Sequence, residues 1–410
     1  MPDHPNLILE RSLSIAFVAT CPPRQCGIAT FSSDLQKALQ AADPSVLIRW
    51  AAINEATSIH PYGPQVSWRI RQGDPDSYRA AAEQLNVAAI DVVSLQHEFG
   101  LYGTWGDPFE DHLPSFLDVL QKPLVTTLHS VLPDPSPSIR GAVHRIVERS
   151  NVVVVMAERA RSLLIDDYGV AERDVCVVPH GVPPVQPHGR TRIKEQFGLS
   201  GRTIITTFGL VDPRKGLEYM IEAMQAVRRC DPSALYLIVG KTHPELVRRE
   251  GEAYRRKLWQ LVRELGLQKH VEFVDEYLSQ AQIVDYLLAS DIYVTPYLDP
   301  KQITSGTLAY ALGAGKAIVS TPYPHAAEVL TDNRGILVPF RSQSALAEAT
   351  LRILGDPELK QKLEHEAYAY GRETAWPRVG QRMLAILRSA ALQSAVGRSQ
   401  LRELARTSGA

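Results

Sequence analysis

The feature that most constrains this chain is a series of short, near-continuous apolar runs rich in β-branched residues, separated by segments with helical periodicity. In the first half the runs are residues 14–19, 46–48, 92–95, 124–128, 152–155 and 175–178. In the second half they are residues 203–208, 235–239, 271–274, 292–295, 317–320 and 335–338. Runs with no polar alternation are typical of a parallel sheet covered by helices on both faces. Two series of about six strands predict an α/β chain of two doubly wound, Rossmann-like domains facing a deep cleft. A length of 410 residues fits two such cores better than one.

The boundary between the series is written in prolines. Pro183-Pro184-Val185-Gln186-Pro187-His188-Gly189 can hold neither a helix nor a central strand. This places a first domain over residues 1–188, a linker over about 183–200 and a second domain over 200–376. The stretch from Trp376 to Leu404 reads as helix, interrupted mainly at Gly397, with a frayed end over residues 399–410.

Charge narrows the partners. Lys plus Arg number 44 against 45 Asp plus Glu, for a formal net charge of −1, without the basic excess of a nucleic-acid binder. A local cationic site for a small anion is compatible with that balance. Four cysteines lie at 21, 26, 176 and 230, with no second pair to complete a zinc set, so free thiols are expected, with a Cys21–Cys26 redox pair as the alternative. Residues 1–11 lack the basic-then-apolar order of a signal peptide, and no run of about 18 apolar residues occurs. A soluble, cytoplasmic protein without a transmembrane segment is the expectation.

In open parallel sheets ligands bind beyond the carboxyl ends of the strands, which directs attention to the residues just after each run. After the first lies Cys21-Pro22-Pro23-Arg24-Gln25-Cys26-Gly27, opening a helix near Thr30. Gly27 there leaves backbone N–H groups open to an anion or a sugar hydroxyl; a plain β–α turn is the alternative. The spacing is not Gly-x-Gly-x-x-Gly, which disfavours a dinucleotide cofactor.

After residue 208 comes Gly209-Leu210-Val211-Asp212-Pro213-Arg214-Lys215-Gly216. A planar guanidinium beside a point charge suits a diphosphate, and cations fixed where a leaving diphosphate gathers charge favour the transition state over the ground state. The alternative is a solvated charged turn. Thr304-Ser305-Gly306-Thr307 opens a further helix with three hydroxyls and a glycine, an anion cradle by capping logic or simply a capped buried helix. His129 ends the run 124–128, and His97-Glu98 end the run from Val92; each reads either as an acceptor-side or sugar-orienting group or as a structural residue.

These residues in this order resemble the retaining GT-B glycosyltransferases of family 4, the group 1 glycosyl transferases, over nearly the whole chain. The resemblance rests on the Pro22-Pro23…Cys26-Gly27-Ile28 loop, Thr127-Leu128-His129, Val178-Pro179-His180-Gly181-Val182 and Gly209…Arg214-Lys215-Gly216. Ala289-Ser290-Asp291 through Pro296 and Gly315-Lys316-Ala317 through Thr321 complete it. It implies a second domain that holds a nucleotide-diphosphate sugar, a first domain that receives the acceptor, and a terminal helix, about 377–404, that crosses back to the first. It also implies transfer of a hexose to an acceptor hydroxyl without metal or bound cofactor, the leaving diphosphate taking the acceptor proton. Position and resemblance together make His129, Arg214, Lys215 and Gln302 the expected catalytic set, and Gly27, Gly209, Thr304, Ser305, Gly306, Thr307 and Tyr310 the expected donor-binding residues. His97 and Glu98 lie on the acceptor side.

The chain departs from the family where Glu, seven residues, then Glu is usual. Gln302 and Tyr310 occupy those positions, and Leu210 stands where an arginine often comes after Gly209. An amide can still hydrogen-bond a sugar hydroxyl, but a phenol cannot accept both ribose hydroxyls as a carboxylate does. The divergence keeps two other readings open: a sugar-nucleotide-binding subunit without activity, and a sugar-nucleotide epimerase on the same fold. Family frequency points to GDP-mannose over UDP-glucose, with a carbohydrate, lipid-linked or small-molecule acceptor.

Overall fold

The computed structural model describes residues 12–55, 60–106 and 109–395. The polar N-terminal stretch, Gly397 and the frayed end read from the sequence lie outside these residues.

The chain divides into two compact units. Among the described residues the first comprises 12–156, 161–178 and 379–395, the second 157–160 and 179–378. In the first unit seven parallel strands run β1 (Ser14–Ala19), β2 (Leu47–Asn54), β3 (Val66–Arg71), β4 (Val92–His97), β5 (Leu124–Leu128), β6 (Val152–Val155) and β7 (Val175–Val177). Their spatial order is β3-β2-β1-β4-β5-β6-β7. The second unit holds β8 (Thr203–Phe208), β9 (Ala234–Val239), β10 (Val271–Val274), β11 (Ile292–Thr295), β12 (Ala317–Ser320) and β13 (Ile336–Leu337), in the order β10-β9-β8-β11-β12-β13. Both orders reverse beside the first strand, the switch point at which doubly wound sheets open a ligand crevice.

Strand β3 escaped the sequence reading, and the reason is physical. Val-Ser-Trp-Arg-Ile-Arg alternates, burying Trp68 and Ile70 while exposing Ser67, Arg69 and Arg71. It lies at the sheet edge, where one face meets solvent and a continuous apolar run is not required. The stretch read as a linker also holds a short helix, Arg190–Gln196.

Helix faces match their burial. In Leu217–Cys230 the buried residues Leu217, Met220, Ile221, Met224 and Val227 fall on one stripe against the second sheet. Helix Gly27–Ala42 is tied to its sheet by the Gln36 amide oxygen, which accepts from the Trp50 indole N–H at 2.7 Å. The last helix, Trp376–Ala395, begins in the second unit, and its residues from Val379 belong to the first, where Arg388 pairs with Asp43. No helix of the described residues is long and apolar enough to cross a membrane.

At the amino end of β11 sits a partly buried charge cluster. Asp291, the residue before β11, accepts from the Ile204 N–H (2.8 Å), Lys194 Nζ (2.5 Å) and Lys360 Nζ (3.1 Å), with Arg190 at 3.7 Å. Burial pushes its carboxyl up, but Lys360, Lys194 and the Ile204 N–H outweigh that and hold it below the usual range. Lys316 beside it is fully buried with Nζ donating to the Ser290 carbonyl at 3.2 Å, and burial, then Arg190, pull its ammonium down to about 7.

Candidate functional site

In the second unit the loops after β8, β11 and β12 converge. Beyond β8, Asp212 caps a single 3-10 turn, Pro213–Lys215, by accepting from the Arg214 N–H at 2.8 Å. The same carboxylate accepts from Arg214 Nε (2.9 Å) and Nη2 (3.1 Å), a fork that fixes the guanidinium plane. Burial raises the Asp212 carboxyl, yet these hydrogen bonds and the Arg214 charge hold it below its ordinary value. Lys215 points elsewhere, its Nζ 3.7 Å from the centre of the Tyr297 ring.

Tyr297 joins this cationic turn to the hydroxyl-rich one. Its hydroxyl bonds the Thr307 hydroxyl at 2.6 Å, and Thr307 in turn meets Ser305 Oγ at 3.1 Å. Ser305 is the N-cap of helix Gly306–Gly313, accepting from the Leu308 N–H at 3.3 Å. The backbone reinforces the contact: Leu298 N–H donates to the Arg214 carbonyl at 2.8 Å. A β-carbon on Gly216, at φ 61°, would lie 2.1 Å from the Pro296 carbonyl oxygen. Gly209 closes the arrangement, since a β-carbon there would stand 3.1 Å from Thr307 Cγ2. Gly216→Ala is therefore expected to push the cationic turn off Tyr297, weakening nucleotide binding at least tenfold by titration calorimetry while the fold persists.

Two histidines flank the start of that helix. His325 is buried, and its Nδ1 accepts from the Ser305 N–H at 3.0 Å, so the proton sits on Nε2. His180 Nδ1 donates to the Gly181 carbonyl at 2.8 Å, and its Nε2 packs against Gly306, 2.8 Å from where a β-carbon would stand. Burial takes His180 down to about 4; burial and then the charge of His180 take His325 to about 3. Both rings are neutral near pH 7 and act here as shape and hydrogen-bond fixtures.

Gln302 and Tyr310 occupy different surroundings. Gln302 is half-buried, its amide donating to the Thr304 carbonyl at 3.2 Å. Tyr310 is 7% exposed, its ring edge-on to Phe208 at 6.1 Å and to His180 at 6.4 Å, and its hydroxyl accepts from the Gln280 amide at 2.9 Å. Thus Gly209, Arg214, Lys215, Ser305, Gly306 and Thr307 stand together, whereas the Tyr310 ring is packed in the core.

In the first unit the loop after β1 contains a cis Pro22-Pro23 bond and leads to Cys26, which caps helix Gly27–Ala42 by accepting from the Ala29 N–H at 3.4 Å. Cys21 and Cys26 are both free thiols, and burial raises Cys21 to about 11. The space at Gly27 is open, with no atom within 4 Å of a β-carbon built there. His129 is buried after β5, edge-on to Phe31 at 4.7 Å, with Nε2 at 3.0 Å from Gln96 Oε1. His97 is buried flat on Tyr102 at 5.7 Å, burial takes it to about 4, and its Nδ1 has no partner among the described residues. Glu98 accepts from the Ser130 hydroxyl at 2.8 Å and the Phe99 N–H at 3.0 Å.

Three of the residues that build this geometry were not given roles from the sequence: Tyr297, His325 and Asp212. Each lies within a few residues of a strand's carboxyl end, and that position was the available signal.

Comparison with known proteins agrees along the chain. The model of the glycosyl transferases group 1 matches residues 189–370, and that of glycosyltransferase family 4 matches residues 27–186. A GDP-mannose-dependent alpha-(1-6)-phosphatidylinositol monomannoside mannosyltransferase of Mycolicibacterium smegmatis is 25% identical over 235 residues, covering 54% of this chain and 57% of the relative. A D-inositol 3-phosphate glycosyltransferase of Corynebacterium glutamicum is 23% identical over 283 residues, 63% of this chain and 65% of its own. The chain thus matches rather less than two thirds of the length of these relatives. Among solved structures, Anabaena HepE in complex with UDP and glucose aligns with a TM-score of 0.72 at 16% identity, over 92% of this chain and 100% of that one. Sucrose-phosphate synthase from Thermosynechococcus elongatus aligns at 0.73 and 19%, over 92% and 98%.

Proposed function

We propose that this chain, which belongs to the group 1 glycosyl transferases and has the GT-B fold, moves a hexose from a nucleoside-diphosphate sugar to an acceptor hydroxyl with retention of configuration. The observation that carries the reading is the junction at Tyr297: one ring bears the Lys215 ammonium on its face and the Thr307 hydroxyl at its tip. Cations and helix-terminal N–H groups thereby address one anion together, as a diphosphate requires. As the bond from the anomeric carbon to the diphosphate oxygen breaks, the charge left on that oxygen is met by Lys215 and Arg214. The acceptor oxygen bonds the same carbon, and its proton passes to the departing diphosphate, so neither a metal nor a strong side-chain base enters. His129 orients the sugar in this reading, Gln302 bonds one of its hydroxyls, and His97 and Glu98 serve the acceptor.

Mannose from GDP-mannose is the donor we favour, supported by the mannosyltransferase named among the relatives; glucose from UDP-glucose is the competitor, HepE having been solved with UDP and glucose. The core packing of Tyr310 favours ribose recognition by other groups, and is also what a binding subunit without activity would show. A thermal-shift panel of UDP, GDP, ADP and their sugars separates these. Saturation at about a hundredfold over Kd adds ~2.7 kcal/mol to the stability of the binding unit, and GDP-mannose is expected to give the largest shift. No shift with any nucleotide would remove the donor site. A shift without nucleotide release, with or without acceptors, would leave the binding subunit.

A further inference from the structure

The loop after β4 carries an exposed aromatic cluster that the donor chemistry does not use. Trp105 is 55% exposed, with its ring centre 5.4 Å from Phe99 and 6.0 Å from Phe109. A half-exposed indole backed by two phenyl rings makes a small contiguous aromatic patch rather than a single scattered side chain. The base of this loop is braced. Gln72 Nε2 donates to the Gly100 carbonyl at 2.6 Å and the Gly103 carbonyl at 3.0 Å. Tyr102 donates to the Gln96 carbonyl at 2.7 Å, and the short hairpin Gly103–Thr104 with Glu110–Asp111 closes the loop. At Gly103 the strands approach so closely that a β-carbon would lie 2.1 Å from the Glu110 carbonyl oxygen. The indole is therefore presented by a braced support, the condition under which an aromatic contact loses little entropy on binding.

Charge selects the occupant. Residues 97–111, the segment that carries Trp105, contain no Lys or Arg and four Asp or Glu. An anionic lipid surface calls for basic residues beside its aromatic anchors, and this segment offers the opposite sign. An uncharged sugar ring suits it: apolar C–H faces stack on the indole, and hydroxyls are donors to carboxylates. Glu98, one residue before Phe99, is already held in place by Ser130 and the Phe99 N–H.

We infer that Trp105, backed by Phe99 and Phe109, is the platform on which a neutral carbohydrate acceptor stacks, and that an anionic phospholipid is not the acceptor. The inference rests on the transferase reading for the word acceptor, but the stacking itself is tested without turnover. Titration of the protein with methyl mannoside, mannobiose, cellobiose and sucrose is followed by isothermal titration calorimetry, alongside sedimentation with phosphatidylinositol-containing vesicles. At least one neutral sugar is expected to bind with measurable heat, with affinity lowered tenfold or more by Trp105→Ala and largely restored by Trp105→Phe. The nucleotide-induced thermal shift is expected to be the same in all three proteins. Where transfer to that sugar is measurable, Trp105→Ala raises KM for the acceptor more than it lowers kcat. No response to any of the four sugars, a response indifferent to Trp105, or vesicle binding that Trp105→Ala abolishes would each overturn the inference. Loss of the nucleotide shift in the unaltered protein would instead count against the transferase reading, leaving the stacking result to stand or fall separately.

Discussion

Replacing both cations of the turn, Arg214→Ala with Lys215→Ala, is expected to lower kcat/KM by roughly 10³-fold or more, about 4 kcal/mol of transition-state stabilisation. The magnitude reflects how the charges are held. Lys215 is fixed against the Tyr297 ring and Arg214 against Asp212, so neither has to reorganise as the diphosphate departs. The two single variants should differ. Arg214 is two-thirds exposed and partly neutralised by Asp212, while Lys215 is half-buried beside the hydroxyl cradle, so Lys215→Ala carries the larger share. Nucleotide release from donor, by transfer or by hydrolysis, measures the loss, and circular dichroism checks that the fold persists. Unchanged release in the double variant would sink the phosphate role.

Much of this was legible because parallel sheets buried on both faces impose a pattern that little else imposes. The strands of both sheets announced themselves as apolar runs, β2 only by its first residues, whereas β3, which has a solvent face, did not. The site divides in the same way. Arg214, Lys215 and the Thr304–Thr307 segment could be read from residue type and position after a strand. That Tyr297 would join them could not, because the pairing of loops after β8 and β11 depends on strands adjacent in the sheet but 84 residues apart in sequence for Thr206 and Ser290, which bond across that seam at 2.6 Å. Tyr310 shows the converse limit. Sequence position puts it on the helix beyond the cradle, but a helix has two sides, and its burial beside Phe208 and His180 turns on packing that only the assembled unit defines.

The most damaging single change outside the donor site should fall on Asp291, a residue that belongs to the family-like Ala289-Ser290-Asp291 segment. Its carboxylate is the common partner of Lys194 and Lys360, has Arg190 at 3.7 Å, and also closes the edge of β8 through the Ile204 N–H. Asp291→Ala removes the anion and leaves the partly buried Lys194 and Lys360 facing one another and the buried Lys316, while Arg190 keeps Glu364, a loss of roughly 3 kcal/mol, the lower end for broken buried pairs. Asn keeps the bond to Ile204 but not the charge, so it should recover only a minor part. Acid titration gives the second signature. The Asp291 carboxyl is held below its unfolded value, so its contribution is complete above about pH 4, the unfolded carboxyl range, and disappears as pH falls through the lower folded value. Chemical denaturation between neutral and acid pH should therefore show a stability deficit in Asp291→Asn that is large near pH 7 and shrinks toward acid. No deficit in Asp291→Asn at any pH would mean that Asp291 acts through the Ile204 hydrogen bond alone and that the surrounding lysines are satisfied by other groups.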